Sequence, residues 1–218
     1  MEIFFIGSNF ARLLQGVLLT LEIALISIIF ATFGGLILGF VMTGRSLIIR
    51  GICRFYLECV RIIPILAWLF IVFFGISQQF DINLSAITSA IIVFSLWGVA
   101  EVGDLVRGAI TSLPKHQNES GKALGLKQWQ IMCYIIFPQA LRRLLPSIIS
   151  LSTRMIKTTS LVALLGAVDL LKVGQQIIEL NKSNPNASFW VYGGIFCTYF
   201  ILCYPLSYLS KMLEKKYQ

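Results

Sequence analysis

ESGKALGLKQWQIMCYIIFP, residues 119–138, opens polar and basic, carries Trp129, and closes in an apolar run ending at Pro138. The chain on either side of it is strongly hydrophobic. Nearly forty amphipathic residues, roughly 107–143, therefore interrupt segments that otherwise avoid water. They are too polar to enter a bilayer and too apolar to stand alone in water, so they are expected to dock on something.

The surrounding composition sets the class. The 218 residues are 57% hydrophobic and only 13% charged, where soluble domains carry about 25%. This composition points to an integral membrane protein. Several spans leave no room for a separate soluble domain, so residues 1–218 are expected to form one transmembrane domain with the 107–143 loop inside it. The net charge of +8 is better explained by Lys and Arg collecting in cytoplasmic loops than by nucleic-acid binding. The five cysteines (53, 59, 133, 197 and 203) lie in or near apolar segments without a CxxC pair, and small core-filling residues are expected there. His116, the only histidine, has no Cys or acidic cluster at ligand spacing, so no metal site is expected. The N-terminus lacks the basic region and short apolar run of a cleavable signal.

A spanning helix needs about 20 apolar residues. Five such segments occur, at about 16–42, 56–76, 84–106, 144–168 and 189–209. An odd number puts the termini on opposite sides. With the N-terminus outside, thirteen Lys and Arg fall in the inner segments 45–61, 107–143 and 211–216, against Arg12, Lys172 and Lys182 outside. The expected orientation is N-out and C-in, with residues 119–138 cytoplasmic. Aromatics at both ends of the fifth segment (Phe189, Trp190, Tyr192; Tyr204, Tyr208) fit an interfacial belt. In the first, Ala31, Gly35 and Gly39 recur every four residues with Gly34 alongside, a spacing that lets helix backbones approach. The partner is open between another span and a second chain.

Within the loop, Pro114 is a break and Asn118 is a candidate cap for a short helix from Glu119. Gly125 ends that helix in a left-handed turn. A second short helix follows, with Trp129, Met132, Cys133 and Ile136 on one face and Pro138 as its stop.

Four ionisable residues fall inside spans: Glu22, Glu101, Arg154 and Lys157. Intramembrane charges face a bundle interior, where they pair or line a pathway. Mutual pairing and a substrate path both remain open. Lys157 lies about 13 residues into its segment, ~20 Å at 1.5 Å per residue, near mid-bilayer. Two acids and two bases would suit a free amino acid, which carries both signs.

The loop resembles the cytoplasmic signature of permease subunits of bacterial ABC importers: Glu-Ala-Ala, three residues, Gly, nine residues, Ile-x-Leu-Pro. Here it reads Glu119-Ser120-Gly121, three residues, Gly125, nine residues, Ile135-Ile136-Phe137-Pro138. Ser120, Gly121 and Phe137 depart from the pattern, and Gly121 weakens its helix by up to about 1 kcal/mol relative to Ala. "GVLLTLEIAL" (16–25), "YLECVRIIP" (56–64), "GDLVRGAITSLPKHQ" (103–117), "PQALRRLLP" (138–146) and "KTTSL" (157–161) resemble elements of the polar amino-acid branch, the histidine/glutamine-type permeases. The resemblance runs from about residue 12 to 213.

That resemblance implies an all-α fold of five transmembrane helices with coupling helices between the third and fourth, the type I importer permease fold. It implies a multi-pass protein of the bacterial cytoplasmic membrane that moves a polar amino acid by alternating access. Glu119, Ser120, Gly121, Ala123, Gly125 and Trp129 would contact an ATP-binding cassette dimer. The substrate path would draw on Glu22, Glu101, Arg154, Lys157 and Thr158, with Glu58 and Arg61 as a structural pair. Further partners would be a second permease chain, identical or paralogous, and an extracytoplasmic substrate-binding protein. Relatives commonly carry Asp or Asn at the place of Thr158 and Tyr at that of Glu101. Loss of the acid at 158 points away from a basic amino acid, although Glu101 offers another acid.

The sequence has no G-x-x-x-x-G-K-[ST] motif, so ATP and Mg²⁺ are expected on the partner and no cofactor on this chain. An embedded enzyme would need a nucleophile–base pair or a metal cluster, and a lone His116 supplies neither. An ATP-independent amino-acid channel or secondary transporter is the alternative, and would have no use for the 119–138 knob.

Overall fold

The first of the apolar segments folds as a single long helix, α1 (Asn9–Met42), in a computed structural model that describes residues 2–4, 7–44, 46–182 and 184–217. Arg45, one of the cations weighed for orientation, lies outside the described residues. After α1 come α2 (Leu47–Ile62) and α3 (Ile65–Phe80), then α4 (Ala86–Thr111). They are followed by α5 (His116–Ala123), α6 (Gln128–Leu165), α7 (Leu170–Leu180) and α8 (Ala187–Tyr217). Among the described residues four helices, α1, α4, α6 and α8, are long and apolar enough to cross a membrane, and the bent pair α2–α3 makes a fifth span possible.

The second expected span is where sequence and structure differ most. The apolar run 56–76 is not one rod: α2 and α3 meet at 97°. Pro64 has no N–H and disfavours helical backbone at the residue before it, so Ile63 turns extended with ψ 126°. Residues 56–62 therefore belong to α2, an amphipathic helix capped by Ser46, whose side chain accepts from the Ile49 N–H. The other spans each run past at least one of their expected ends. α4 is capped by Ser85, which accepts from the Thr88 N–H, and runs on to Thr111. α6 begins sixteen residues before the expected 144, at Gln128.

The small residues of α1 find their partner inside this chain. A Cβ at Gly35 would lie 2.4 Å from Val102 Cβ, and one at Gly39 2.4 Å from Val106 Cβ and 2.6 Å from the Gly103 carbonyl oxygen. Conversely, a Cβ at Gly98 would lie 2.4 Å from the Ala31 Cβ. Both numbers rise together along this seam, so α1 and α4 run parallel and nearly in backbone contact. α6 runs against α4, since Arg154 meets Glu101 while Arg143 meets Ser112. α8 runs against α6: Ser210 donates to the Pro146 carbonyl at 2.8 Å, and Cys203 Sγ lies 4.0 Å from the Thr153 carbonyl oxygen. The last turns of α1, α4 and α8 and the start of α6 thus share one end of the bundle, and the basic segments gather there.

The main core joins Ile23, Leu69, Phe94, Met155 and Val162. A second joins the lower half of α4 (Val102, Val106, Ile110) to the first half of α6 (Ile131, Ile136, Ala140, Leu144). Leu18, Leu25, Ile29 and Phe33 point outward from α1, as expected of a face solvated by lipid. Of the cysteines, only Cys53 and Cys203 fill core positions; Cys133 and Cys197 are exposed, because their helix faces turn away from the bundle.

Candidate functional site

The knob is built from a turn, a short helix and the first turns of α6. Pro114 organises its start: the Pro114 carbonyl accepts from the Gln117 N–H at 3.1 Å, and the Lys115 carbonyl from the Asn118 and Glu119 N–H groups. The helix therefore begins at His116, and Asn118, expected as its cap, sits inside it. Gly125 takes φ +75°, a conformation that costs other residues about 1 kcal/mol or more. This lets Leu126 N–H reach the Gly121 carbonyl at 3.1 Å and Gly125 N–H the Lys122 carbonyl at 2.9 Å, the paired bonds of a Schellman stop.

Two features of the second helix depart from expectation. Pro138 does not end it. Residues 131–136 form a π turn in which the Phe137 N–H bonds to the Met132 carbonyl. This shifts the hydrogen-bond register just before the residue that lacks a donor, and α6 continues through it. The wider turn also changes the buried face. Ile131 and Ile136, five apart, are buried, whereas Trp129 and Cys133 of the expected face are exposed. Gly121 is not simply a weak point: a Cβ there would lie 2.8 and 3.0 Å from the side chain of the fully buried Ile131. It is the seat on which α5 packs against α6. Glu119, Ser120 and Ala123 remain exposed, as do Leu124 (78%) and Trp129 (57%), with the Trp129 ring 6.2 Å from that of Tyr134. Leu124 and Tyr134 were missed in the sequence. A Leu three residues from a buried glycine reads as core until the helix stop turns it out.

The second constellation is a chain of charges across the middle of the bundle. Arg107 holds Asp104 at 2.6 Å, Asp104 holds Arg61 at 2.8 Å, Arg61 reaches Glu101 at 3.3 Å, and Glu101 meets Arg154 at 2.6 Å. The expected Glu58–Arg61 pair does not form. The bend at Pro64 points Arg61 at α4, where two acids already converge, and leaves Glu58 exposed. Asp104, three residues beyond Glu101 on α4, is a hub that pairs with both Arg61 and Arg107. The Arg154 guanidinium also lies 5.6 Å above the Trp97 ring, a cation–π contact.

Of the other expected path residues, Lys157 is exposed one turn beyond Arg154 and makes no ion pair among the described residues. The Thr158 hydroxyl is occupied by the Arg154 carbonyl at 2.9 Å. Glu22 does not join them. It is exposed on the outward stripe of α1 with Leu18, Leu25 and Ile29. The expected balance of two acids and two bases thus becomes Glu101 and Asp104 facing Arg61, Arg107, Arg154 and Lys157, an excess of positive charge. Arg61, Asp104 and Arg107 line one cleft, of about 1060 Å³, and Arg154 lines another, of about 680 Å³, together with Arg143, Ser147 and Ser150. Glu101 bridges the two.

Comparison with known proteins gives one consistent answer. The profile of the family described as "Binding-protein-dependent transport system inner membrane component" matches residues 31–218. The glutamine transport system permease protein GlnP of Escherichia coli K12 is 29% identical over 205 residues, covering 94% of this chain and 92% of that one. A Bacillus subtilis protein named "Probable amino-acid ABC transporter permease protein YckA" is 31% identical over 209 residues, covering 96% and 90%. Among solved structures, an amino acid ABC transporter crystallised with histidines superposes at TM-score 0.88 with 23% identity over 99% of both chains. The inward-facing methionine ABC transporter MetNI does so at 0.77 and 18%, over 97% of this chain and 99% of that one. At these identities the two structures speak for the fold, the type I importer permease fold.

Proposed function

The chain belongs to the family of binding-protein-dependent transport system inner membrane components, permease subunits of ABC importers set in the cytoplasmic membrane, and we propose that it carries a polar amino acid inward by alternating access. Residues 1–218 act as one permease domain, N-out and C-in, with the 107–143 loop facing the cytoplasm. The named relatives handle glutamine or amino acids. The excess of cations around Glu101 favours a neutral polar or acidic amino acid, whose carboxylate would be met by Lys157 and Arg154, over a basic one.

The observation that carries the mechanism is the continuity of α6. One helix, Gln128–Leu165, holds Trp129 at the exposed knob and Arg154 and Lys157 in the bundle. A displacement of the knob moves these cations against the Glu101 of α4 without a flexible joint between. In this proposal an ATP-binding subunit grips Glu119, Ser120, Ala123, Leu124 and Trp129, while Gly121 and Gly125 hold their shape. ATP and Mg²⁺ stay on that partner. Its closure then biases a two-state bundle through contacts that differ between the states. A second permease chain completes the pathway, and an extracytoplasmic binding protein delivers the substrate. A channel working without ATP gives no role to the exposed Leu124–Trp129 surface and is not favoured.

The test is affinity purification of the tagged chain from native membranes in mild detergent, followed by uptake assays with reconstituted vesicles. Co-elution of an ATP-binding subunit, lost in the Leu124→Asp/Trp129→Asp variant, together with uptake that requires ATP, supports the proposal. A folded chain that elutes alone even after cross-linking at residues 119–130 would sink it.

A further inference from the structure

We propose that the cleft between α2 and the α4–α5 corner binds a phosphate-bearing anion, the headgroup of an anionic phospholipid. The cleft, about 1060 Å³, is lined by six cations and three acids. Asp104 is already held by Arg61 and Arg107. Arg50, Arg54, Lys115 and Lys122 make no ion pair among the described residues, and only the carboxylates of Glu58 and Glu119 remain to offset them. Cations in excess round a wide cleft repel one another, and an anion between them relieves that.

The occupant is read from α2. Arg50 and Arg54, one turn apart, face the cleft. On the other side Ile48, Ile52, Phe55 and Ile62 are 76%, 65%, 71% and 74% exposed. The 97° bend at Pro64 lays such a helix along the membrane face when α3 crosses it. This is the form of an interfacial amphipathic helix, apolar side in the acyl chains and basic side at headgroup depth. The cleft wall is itself amphiphilic, since Met42, Leu47 and Leu57 line it beside the arginines. Free phosphate would use only the basic half; a phospholipid uses both. Basic pockets between helices on the cytoplasmic side suit anionic headgroups. This inference rests on the membrane location and not on the proposed substrate or the coupling role.

The full chain, purified in dodecyl maltoside, is titrated with dioleoylphosphatidylglycerol or dioleoylphosphatidylcholine, and native mass spectrometry counts the lipids retained. Two arginines near an anionic headgroup correspond to a preference of roughly tenfold or more for the glycerol lipid. Arg50→Gln/Arg54→Gln should lose that preference and Arg50→Lys/Arg54→Lys keep most of it, all three proteins melting at similar temperature. Equal retention of the two lipids, or an undiminished preference in the Gln variant, overturns the proposal. Displacement of the glycerol lipid by millimolar inorganic phosphate makes the cleft a free-phosphate site and also overturns it. So does loss of the preference in the chain co-purified with its ATP-binding partner, which would make the cleft a protein interface.

Discussion

Glu101 holds two guanidinium groups at once, Arg61 at 3.3 Å and Arg154 at 2.6 Å, with its side chain only 15% exposed. Removing its charge leaves Arg154 without its carboxylate partner and Arg61 with Asp104 alone, a costly arrangement for charges inside a membrane bundle. Glu101→Gln is expected to lower uptake at least about tenfold, equivalent to about 1.4 kcal/mol, while Glu58→Gln, which breaks no ion pair, leaves it near wild type; initial rates in reconstituted vesicles check both. Asp169 offers a pH-dependent counterpart in the loop after α6, outside the spanning helices. It caps α7 by accepting from the Lys172 N–H at 2.9 Å, yet its second oxygen is buried with no hydrogen-bond partner. Burial pushes the carboxyl up to about 6, only partly opposed by its backbone hydrogen bonds. A raised folded value means that folding favours the protonated form. The associated stability is complete below the unfolded value near 3.8 and is lost as pH rises through about 6. Melting temperature should therefore rise between neutral pH and about pH 5, and Asp169→Asn should flatten that response.

At the scale of the element, the knob depends on shape more than on helix propensity. Gly121 lowers the intrinsic stability of α5, but its missing Cβ is what lets Ile131 pack onto the helix. Gly121→Ala should therefore destabilise by about 1–2 kcal/mol through overpacking, against the ~1 kcal/mol gain that propensity alone would give. In an Ile131→Ala background the same substitution should become neutral or stabilising. Denaturation of the four proteins of the cycle measures the coupling, and zero coupling would remove the packing account. The π turn at 131–136 belongs to this scale too. It carries α6 past Pro138 and keeps the knob rigidly joined to Arg154.

For the whole molecule, the parallel seam of α1 and α4 and the antiparallel placing of α6 and α8 bring the basic ends together. The proposed orientation puts that end in the cytoplasm. Cys133, exposed on the first turns of α6, reports it directly: a membrane-impermeant maleimide should label it in inverted vesicles and spare it in right-side-out ones. The opposite pattern would reverse the topology. The seam itself predicts that Gly35→Leu, whose side chain would overlap Val102, forces α1 and α4 apart and abolishes accumulation of folded protein in the membrane.

Hydrophobic runs, Lys and Arg distribution and the Glu119–Pro138 spacing are local properties, so the sequence alone carried the membrane class, the knob and its Gly125 stop. The small residues of α1 announced a close helix contact in the same way. What the sequence left open depended on which surfaces meet. The partner of Gly35 and Gly39 became α4 because Val102, Val106 and the Gly103 backbone present a matching surface. Arg61 left Glu58 for Glu101 and Asp104 because a single proline turns α2 by 97°. Glu22 fell outside the charged chain because helical rotation puts it on the outward stripe of α1. Pro138 failed to stop its helix because a π turn moved the missing hydrogen bond. Charges pair with whatever the packed backbone brings within about 4 Å, and that distance is set by tertiary structure, not by position along the chain.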